Sequence, residues 1–273
     1  MPELPEVETT LRGIRPHVIQ QRIDKITIRQ HRLRWPIPSD LSARASQQSI
    51  QTLSRRGKYL LLHLENGILL IHLGMSGRLC VVSPDHPPQK HDHVDIHFQH
   101  HLVLRYTDPR RFGAMLWVEP NQIDTHPLLS RLGVEPFAEA FTGSYLWSLA
   151  QKRTLPIKAF IMNQRIVVGV GNIYATEALF MTGIHPLTPV HKICLAQFIE
   201  LANLIQQLLK HAIQQGGTTL KDFLSADSKP GYFIQELRAY GRAGLPCTQC
   251  QEPLHTCVIG QRASAFCTRC QKY

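Results

Sequence analysis

Tyr59-Leu60-Leu61-Leu62-His63-Leu64-Glu65-Asn66-Gly67-Ile68-Leu69-Leu70-Ile71-His72-Leu73 consists of two nearly unbroken apolar runs joined by Glu65-Asn66-Gly67. Asn-Gly between two such runs is a hairpin signal, and runs without polar alternation predict strands buried on both faces. Further along, Val94, Ile96 and Phe98 alternate with polar residues and are followed across His100 by Leu102, Leu104 and Tyr106, a second hairpin. Toward the start of the chain, Val7, Leu11 and Ile14 recur at helical spacing, with Pro5 suited to a first turn and Pro16 marking the end. The first half is therefore mainly β, opened by one helix.

Turn and charged residues from Asp124 to Glu139, among them Pro127, Gly133 and Pro136, read as a connection between domains. Beyond it the period changes. Leu155 to Met162 and Tyr174 to Met181 read as short helices, and a longer one over Pro189 to Gln214 carries a stripe of Leu195, Phe198, Ala202, Ile205 and Leu209. Gly216-Gly217 is its stop. Thr218 to Gly244 is polar and reads as a loop. Cys247-Thr-Gln-Cys250 and Cys267-Thr-Arg-Cys270 then follow, two CxxC pairs sixteen residues apart. Four thiolates at that spacing suit one tetrahedral zinc ion with no open coordination position, a structural staple rather than a catalytic metal. The short intervening stretch predicts an antiparallel hairpin with Arg262 near its tip, either a solvated loop arginine or one that reaches a phosphate.

Among 273 residues, 30 Lys and Arg against 20 Asp and Glu give a formal charge of +10 and a pI near 9.5, which points to a polyanionic partner, nucleic acid first. No apolar stretch is long enough to span a bilayer and no basic amphipathic anchor is seen, so membrane association is not expected. The N-terminus lacks the basic start and apolar centre of a signal peptide, and three of the seven cysteines are scattered, so a cytoplasmic protein is expected. Gly169-Val-Gly171-Asn172 lacks the third glycine of a dinucleotide fingerprint, and no nucleotide cofactor is implied.

Removal of Met1 before the small Pro2 would leave a secondary amine at the chain start. An α-amino group titrates near about 7.7 to 8.0, against about 10.4 for lysine, so a useful fraction is neutral at physiological pH without burial. Such an amine can attack an aldehyde-level carbon and give an iminium ion, an electron sink that permits elimination. Pro2-Glu3-Leu4-Pro5-Glu6-Val7-Glu8 resembles the start of the formamidopyrimidine-DNA glycosylase (MutM) family. The resemblance continues through Gly57-Lys58-Tyr59, His72-Leu73-Gly74-Met75-Ser76-Gly77, Lys90-His91-Asp92-His93, Thr107-Asp-Pro-Arg110-Arg111-Phe112-Gly113, Gly169-Val-Gly171-Asn172-Ile-Tyr174 and the cysteine pairs. The sister endonuclease VIII family usually carries Gly where this chain has Leu4.

The resemblance implies an α+β fold with three parts: an N-terminal β-sandwich with its helix over 1–133, a helix-two-turn-helix domain over 134–236 and a zinc-ribbon finger over 237–273. It implies a monomer that binds damaged double-stranded DNA and excises oxidised purines, formamidopyrimidines and 8-oxoguanine, with β,δ-elimination as a DNA lyase. Pro2 is then the nucleophile, Glu3 moves protons at the sugar, Lys58 assists β-elimination and Arg262 assists δ-elimination. His72, His91, Arg110, Arg153, Asn172 and Tyr240 match backbone contacts. Met75, Arg110 and Phe112 match the set inserted where the base is extruded, which offsets unstacking. By residue type alone, Lys58 reads as a solvated strand-end charge, Met75 and Phe112 as core packing although their glycine neighbours suggest loops, and Glu6 as a helix-start charge favourable to the macrodipole. A lesion-capping loop is expected over 218–232, with Lys221 and Gly231 as candidates. Arg153 stands where a lysine is common, and Ser76, expected near the lesion pocket, occupies a variable position. His91, His93 and His97 are expected on one polar strand face opposite Val94 and Ile96. Two other readings stay open: an endonuclease VIII-like enzyme for oxidised pyrimidines, and a non-catalytic binder of damaged DNA.

Overall fold

The structure is a computed structural model describing residues 2–218 and 233–273. It divides into two compact units, one within 1–131 and 215–234, the other within 132–214 and 235–273. The expected capping-loop residues Lys221 and Gly231 lie outside the described residues.

The first unit opens with α1 (Leu4–Val18) and continues through β1 (Ile23–Ile28), α2 (Leu41–Ala45), β2 (Thr52–Arg56), β3 (Tyr59–His63), β4 (Ile68–His72), β5 (Arg78–Val82), β6 (Asp92–Phe98), β7 (Leu102–Thr107) and β8 (Ala114–Val118). These strands make two antiparallel four-stranded sheets, ordered β1-β6-β7-β5 and β2-β3-β4-β8. Leu60, Leu62, Leu69, Ile71 and Met115 of one sheet share a core with Ile26, Val94, Ile96, Leu104 and Tyr106 of the other, which makes a β-sandwich. Leu61 and Leu70, at the alternate positions of β3 and β4, are buried as well, as unbroken apolar runs require. Helix α1 packs against β2, β3 and β5, strands of both sheets, through Val7, Leu11, Ile14 and Val18. It runs two residues past Pro16, because a proline this close to the end costs only a terminal hydrogen bond.

The β3–β4 hairpin forms, but not for the reason the Asn-Gly pair signals. None of Glu65, Asn66 and Gly67 has a positive φ, so the turn is not the left-handed type. Gly67 is needed for space: a Cβ there would lie 2.0 Å from the Trp117 ring. The histidines also differ from expectation. A register shift between Asp92 and Val94 breaks the alternation, and His93 is buried, its Nε2–H donating to the Asp108 carbonyl at 2.8 Å.

The second unit contains α3 (Gly143–Ala150), α4 (Ile157–Ile161), α5 (Asn172–Met181), α6 (Leu195–Gln214) and the ribbon β9 (His255–Ile259) and β10 (Arg262–Phe266). Two turns separate α4 from α5. They are held by Gln164, whose side chain accepts the Gly169 N–H and donates to the Val170 carbonyl. Phe198, Ala202, Ile205 and Leu209 are buried along α6, whereas Leu195, expected in the same stripe, is 38% exposed in the first turn. Gly216 and Gly217 follow α6 with positive φ, as a helix stop requires. Among the described residues no helix is long and apolar enough to cross a membrane.

Candidate active site and nucleic-acid interface

Pro2 and Glu3 are buried ahead of α1. The Glu3 N–H, left without a helical partner at this end, donates to Glu6 Oε2 at 2.8 Å. The other Glu6 oxygen accepts the N–H and hydroxyl of Thr218, each at 2.8 Å. Glu6 is 2% exposed, so it is more than a surface charge near a helix start. It fixes the backbone beside Pro2 to the segment that follows α6.

Lys58 is not a solvated strand end. With Gly57, at φ +57°, it forms the two-residue turn between Arg56 and Tyr59, and it is 8% exposed. Arg55 braces that turn, donating to the Gly57 carbonyl at 2.9 Å and to Glu8 Oε2 of α1 at 3.0 Å. His72 pairs across the sheet with Tyr59, their rings 4.9 Å apart. Burial, then the nearby positive charges of Lys58 and Arg34, push the His72 imidazole down to about 4. Its Nδ1 accepts the Gly74 N–H at 3.0 Å, so the neutral ring carries its proton on Nε2 and is a donor.

Met75 lies in the β4–β5 loop, and Arg110 and Phe112 in the β7–β8 loop. Met75 is 38% and Phe112 41% exposed, so neither is core, and the Arg110 guanidinium stacks 4.8 Å over the Phe112 ring. The loops touch at Gly74, where a Cβ would lie 2.5 Å from the Phe112 carbonyl carbon. His91, partly exposed, precedes β6 and accepts the Asp108 N–H at 3.0 Å. Ser76, far from open, is buried and donates to Asp108.

In the second unit Asn172 begins α5 and donates from Nδ2 to the Ala263 carbonyl at 3.2 Å, next to the exposed Arg262. Arg262 pairs with Ile259 at the end of the β9–β10 hairpin, as its spacing predicts. Arg153 follows α3, its guanidinium 5.9 Å from the Phe160 ring centre. The Tyr240 N–H donates to Glu177 Oε1 at 2.7 Å, and the same carboxylate takes the N–H groups of Arg238 and Ala239. Cys247, Cys250, Cys267 and Cys270 place their sulfurs within 4.8 Å of one another. Tetrahedral thiolates about 2.3 Å from zinc stand about 3.8 Å apart, and the Cys247–Cys270 and Cys250–Cys267 separations are 3.9 and 3.5 Å. The four cysteines can therefore hold one metal ion, and the donor set suits zinc.

Residues 1–115 match the formamidopyrimidine-DNA glycosylase N-terminal domain and residues 132–224 the H2TH domain of the same enzyme. Over 273 residues the chain is 54% identical to the formamidopyrimidine-DNA glycosylase of Pseudomonas entomophila, with all of both chains covered. The chain belongs to the formamidopyrimidine-DNA glycosylase family. The structure superposes on MutM (Fpg) from Thermus thermophilus with a TM-score of 0.89 at 36% identity, over 99% of this chain and 98% of that one. It also superposes on wild-type Lactococcus lactis Fpg in complex with DNA containing N7-benzyl-Fapy-dG, with a TM-score of 0.92 at 31% identity and full coverage of both.

Within this glycosylase fold several residues escape a motif reading. Glu6 and Asp108 sit inside quoted motifs but show their partners only in three dimensions. Lys158 is fully buried, donating to Thr176 Oγ1 at 2.8 Å and Ser264 Oγ at 2.7 Å. Its one signal is a lysine in the apolar run from Leu155 to Met162. Glu177 gives none, being a single acid in an otherwise ordinary helix.

Proposed function

We propose that the chain is a base-excision repair enzyme that removes formamidopyrimidines and 8-oxoguanine from duplex DNA and cleaves the strand by β,δ-elimination. The observation that carries this reading is the buried Pro2–Glu3 segment ahead of α1, its Glu3 N–H held by the Glu6 carboxylate that also holds Thr218, in a chain that matches the family over its whole length.

In this reading the Pro2 nitrogen attacks C1′, the C1′–base bond breaks and its electron pair leaves with the base, which takes up a proton. Glu3 protonates the ring oxygen as the sugar opens to an iminium ion. Loss of a sugar proton expels the 3′ phosphate with Lys58 assisting, a second elimination expels the 5′ phosphate with Arg262 assisting, and water frees Pro2. His72 donates its Nε2–H to a backbone phosphate, and His91, Arg110, Arg153, Asn172 and Tyr240 make further backbone contacts. Met75 and Phe112 are the apolar wedge, and Arg110 faces the orphaned base. One structural zinc held by Cys247, Cys250, Cys267 and Cys270 fixes the hairpin that carries Arg262. The division into 1–133, 134–236 and 237–273 then separates base chemistry, backbone grip and hairpin. The protein acts as a cytoplasmic monomer, at the nucleoid through DNA.

Borohydride trapping on an 8-oxoguanine:cytosine duplex tests the reading. A covalent adduct is expected from the Met1-processed protein and none through residue 2 from a form that retains Met1, where the Pro2 nitrogen is an amide; Pro2→Gly, which keeps a free α-amine, should trap more slowly than wild type. Duplex binding by the processed protein without any adduct would overturn it.

A further inference from the structure

The wedge assigned above comes from two loops more than thirty residues apart in sequence, and a wedge opens a base stack only if its parts are held at fixed separation. One side chain touches both loops. The Asp108 carboxylate is 0% exposed. Its Oδ1 accepts the hydroxyl of Ser76, beside Met75, at 2.9 Å, and its Oδ2 accepts the N–H of Gly113, beside Phe112, at 2.9 Å. Oδ2 also accepts the Tyr106 hydroxyl at 3.2 Å. That phenol is held well above its ordinary range by burial and by the Asp108 charge, so it stays a donor. Ser76 Oγ in turn accepts the Arg110 N–H at 3.3 Å. The Asp108 backbone extends the arrangement, accepting the Arg111 N–H at 3.1 Å and donating to the His91 carbonyl at 3.0 Å.

We propose that Asp108 is a positioning residue that locks Met75, Arg110 and Phe112 into one wedge and ties that wedge to the His91 backbone contact. The inference rests on the reading of those three residues as the inserted set. A buried carboxylate suits this work because it is acceptor-only and can satisfy three donors, one on the β4–β5 loop and two on its own stretch from β7 into the β7–β8 loop, with charge-assisted bonds stronger than neutral ones. Asparagine has the same shape but turns an NH2 group toward at least one of those donors. The mismatch therefore falls on the loop geometry itself.

The experiment compares Asp108→Asn with wild type on two DNAs. In a duplex carrying 2-aminopurine beside 8-oxoguanine, the fluorescence rise on binding, which reports unstacking, should fall to a small fraction of wild type. Single-turnover base excision should fall by about 10- to 100-fold, in keeping with an unstacking cost of a few kcal/mol. On a single-stranded oligonucleotide with a preformed abasic site there is no stack to open, and borohydride trapping should stay within about threefold. Wild-type fluorescence and excision in a folded Asp108→Asn protein would overturn the proposal, as would an equal loss on both DNAs. Should that variant fail to fold, Ser76→Ala decides: it removes the bond from Ser76 to the Asp108 carboxylate together with the one Ser76 accepts from the Arg110 N–H, both joining the Met75 loop to the β7–β8 loop, and should reduce the fluorescence rise; an undiminished rise would overturn the proposal. If wild type gives no adduct on either DNA, it is the Pro2 reading that fails, and the fluorescence still reports on Asp108.

Discussion

Glu6 Oε1 accepts both the backbone N–H and the hydroxyl of Thr218, at 2.8 Å each. The carboxylate is buried and its second oxygen holds the Glu3 N–H, so one group fixes the residue next to Pro2 and the chain after α6. Thr218→Val removes one charge-assisted bond and keeps the shape, which should cost about 1–2 kcal/mol in urea unfolding. Glu6→Gln turns a donor toward at least one of these N–H groups and should cost more, with a slower rate of imine trapping than Thr218→Val. Equal trapping rates in the two variants would contradict the link from Glu6 to Pro2.

His72 sets a pH window. Its ordinary value of 6.5 is lowered to about 4 in the fold. As pH falls below 6.5 the unfolded chain takes the proton first, so stability is lost progressively down to about pH 4, and no further loss comes from this residue below that. Above pH 6.5 its contribution is fully present. In an NMR titration the His72 ring should therefore hold its neutral shifts through pH 6, and a phosphate contact through Nε2–H should not titrate near neutrality. A midpoint near 6.5 would contradict both statements.

Gly67 should not accept alanine. The added Cβ meets the Trp117 ring, which pairs across the sheet with Leu69, so either the ring or the hairpin must move. Overpacking of this kind typically costs about 1–3 kcal/mol. Gly67→Ala should lower the thermal midpoint and shift the emission of Trp117, read against a Trp35→Phe, Trp147→Phe background.

The β-sandwich was legible because leucine-rich runs and alternating valines and isoleucines leave strands few alternatives, and the ribbon because CxxC spacing constrains its ligands. What escaped depends on contacts between distant segments. Nothing local distinguishes Glu6 as a bridge to Thr218 from Glu6 as a helix-start charge, and Lys58 looks solvated until the turn buries it. The alternation that places His93 with His91 and His97 on a polar face fails for one physical reason, a shifted register in which the buried His93 ring donates its Nε2–H to the Asp108 carbonyl. Met75 and Phe112 show the reverse case, apolar residues that local pattern assigns to the core and glycine-lined loops leave exposed.

The cysteine cluster leans on a residue that is not a ligand. Gln271 is 2% exposed; its Oε1 accepts the Cys267 N–H at 2.8 Å and its Nε2 donates to the Ile184 carbonyl at 2.9 Å. Gln271→Ala leaves both backbone groups buried without that partner, and loss of such supporting bonds typically weakens metal sites by about 10- to 100-fold. Zinc release to a chelator, followed with a colorimetric indicator, should accelerate by a factor in that range. Chelation of the wild type should remove the order of the β9–β10 hairpin, because a ribbon this short has too little core to fold alone. Since Arg262 sits on that hairpin, the metal-depleted protein should accumulate β-elimination product at the expense of β,δ-product, while Gln271→Ala with excess zinc should restore the wild-type ratio. A product ratio indifferent to zinc would separate Arg262 from the second elimination.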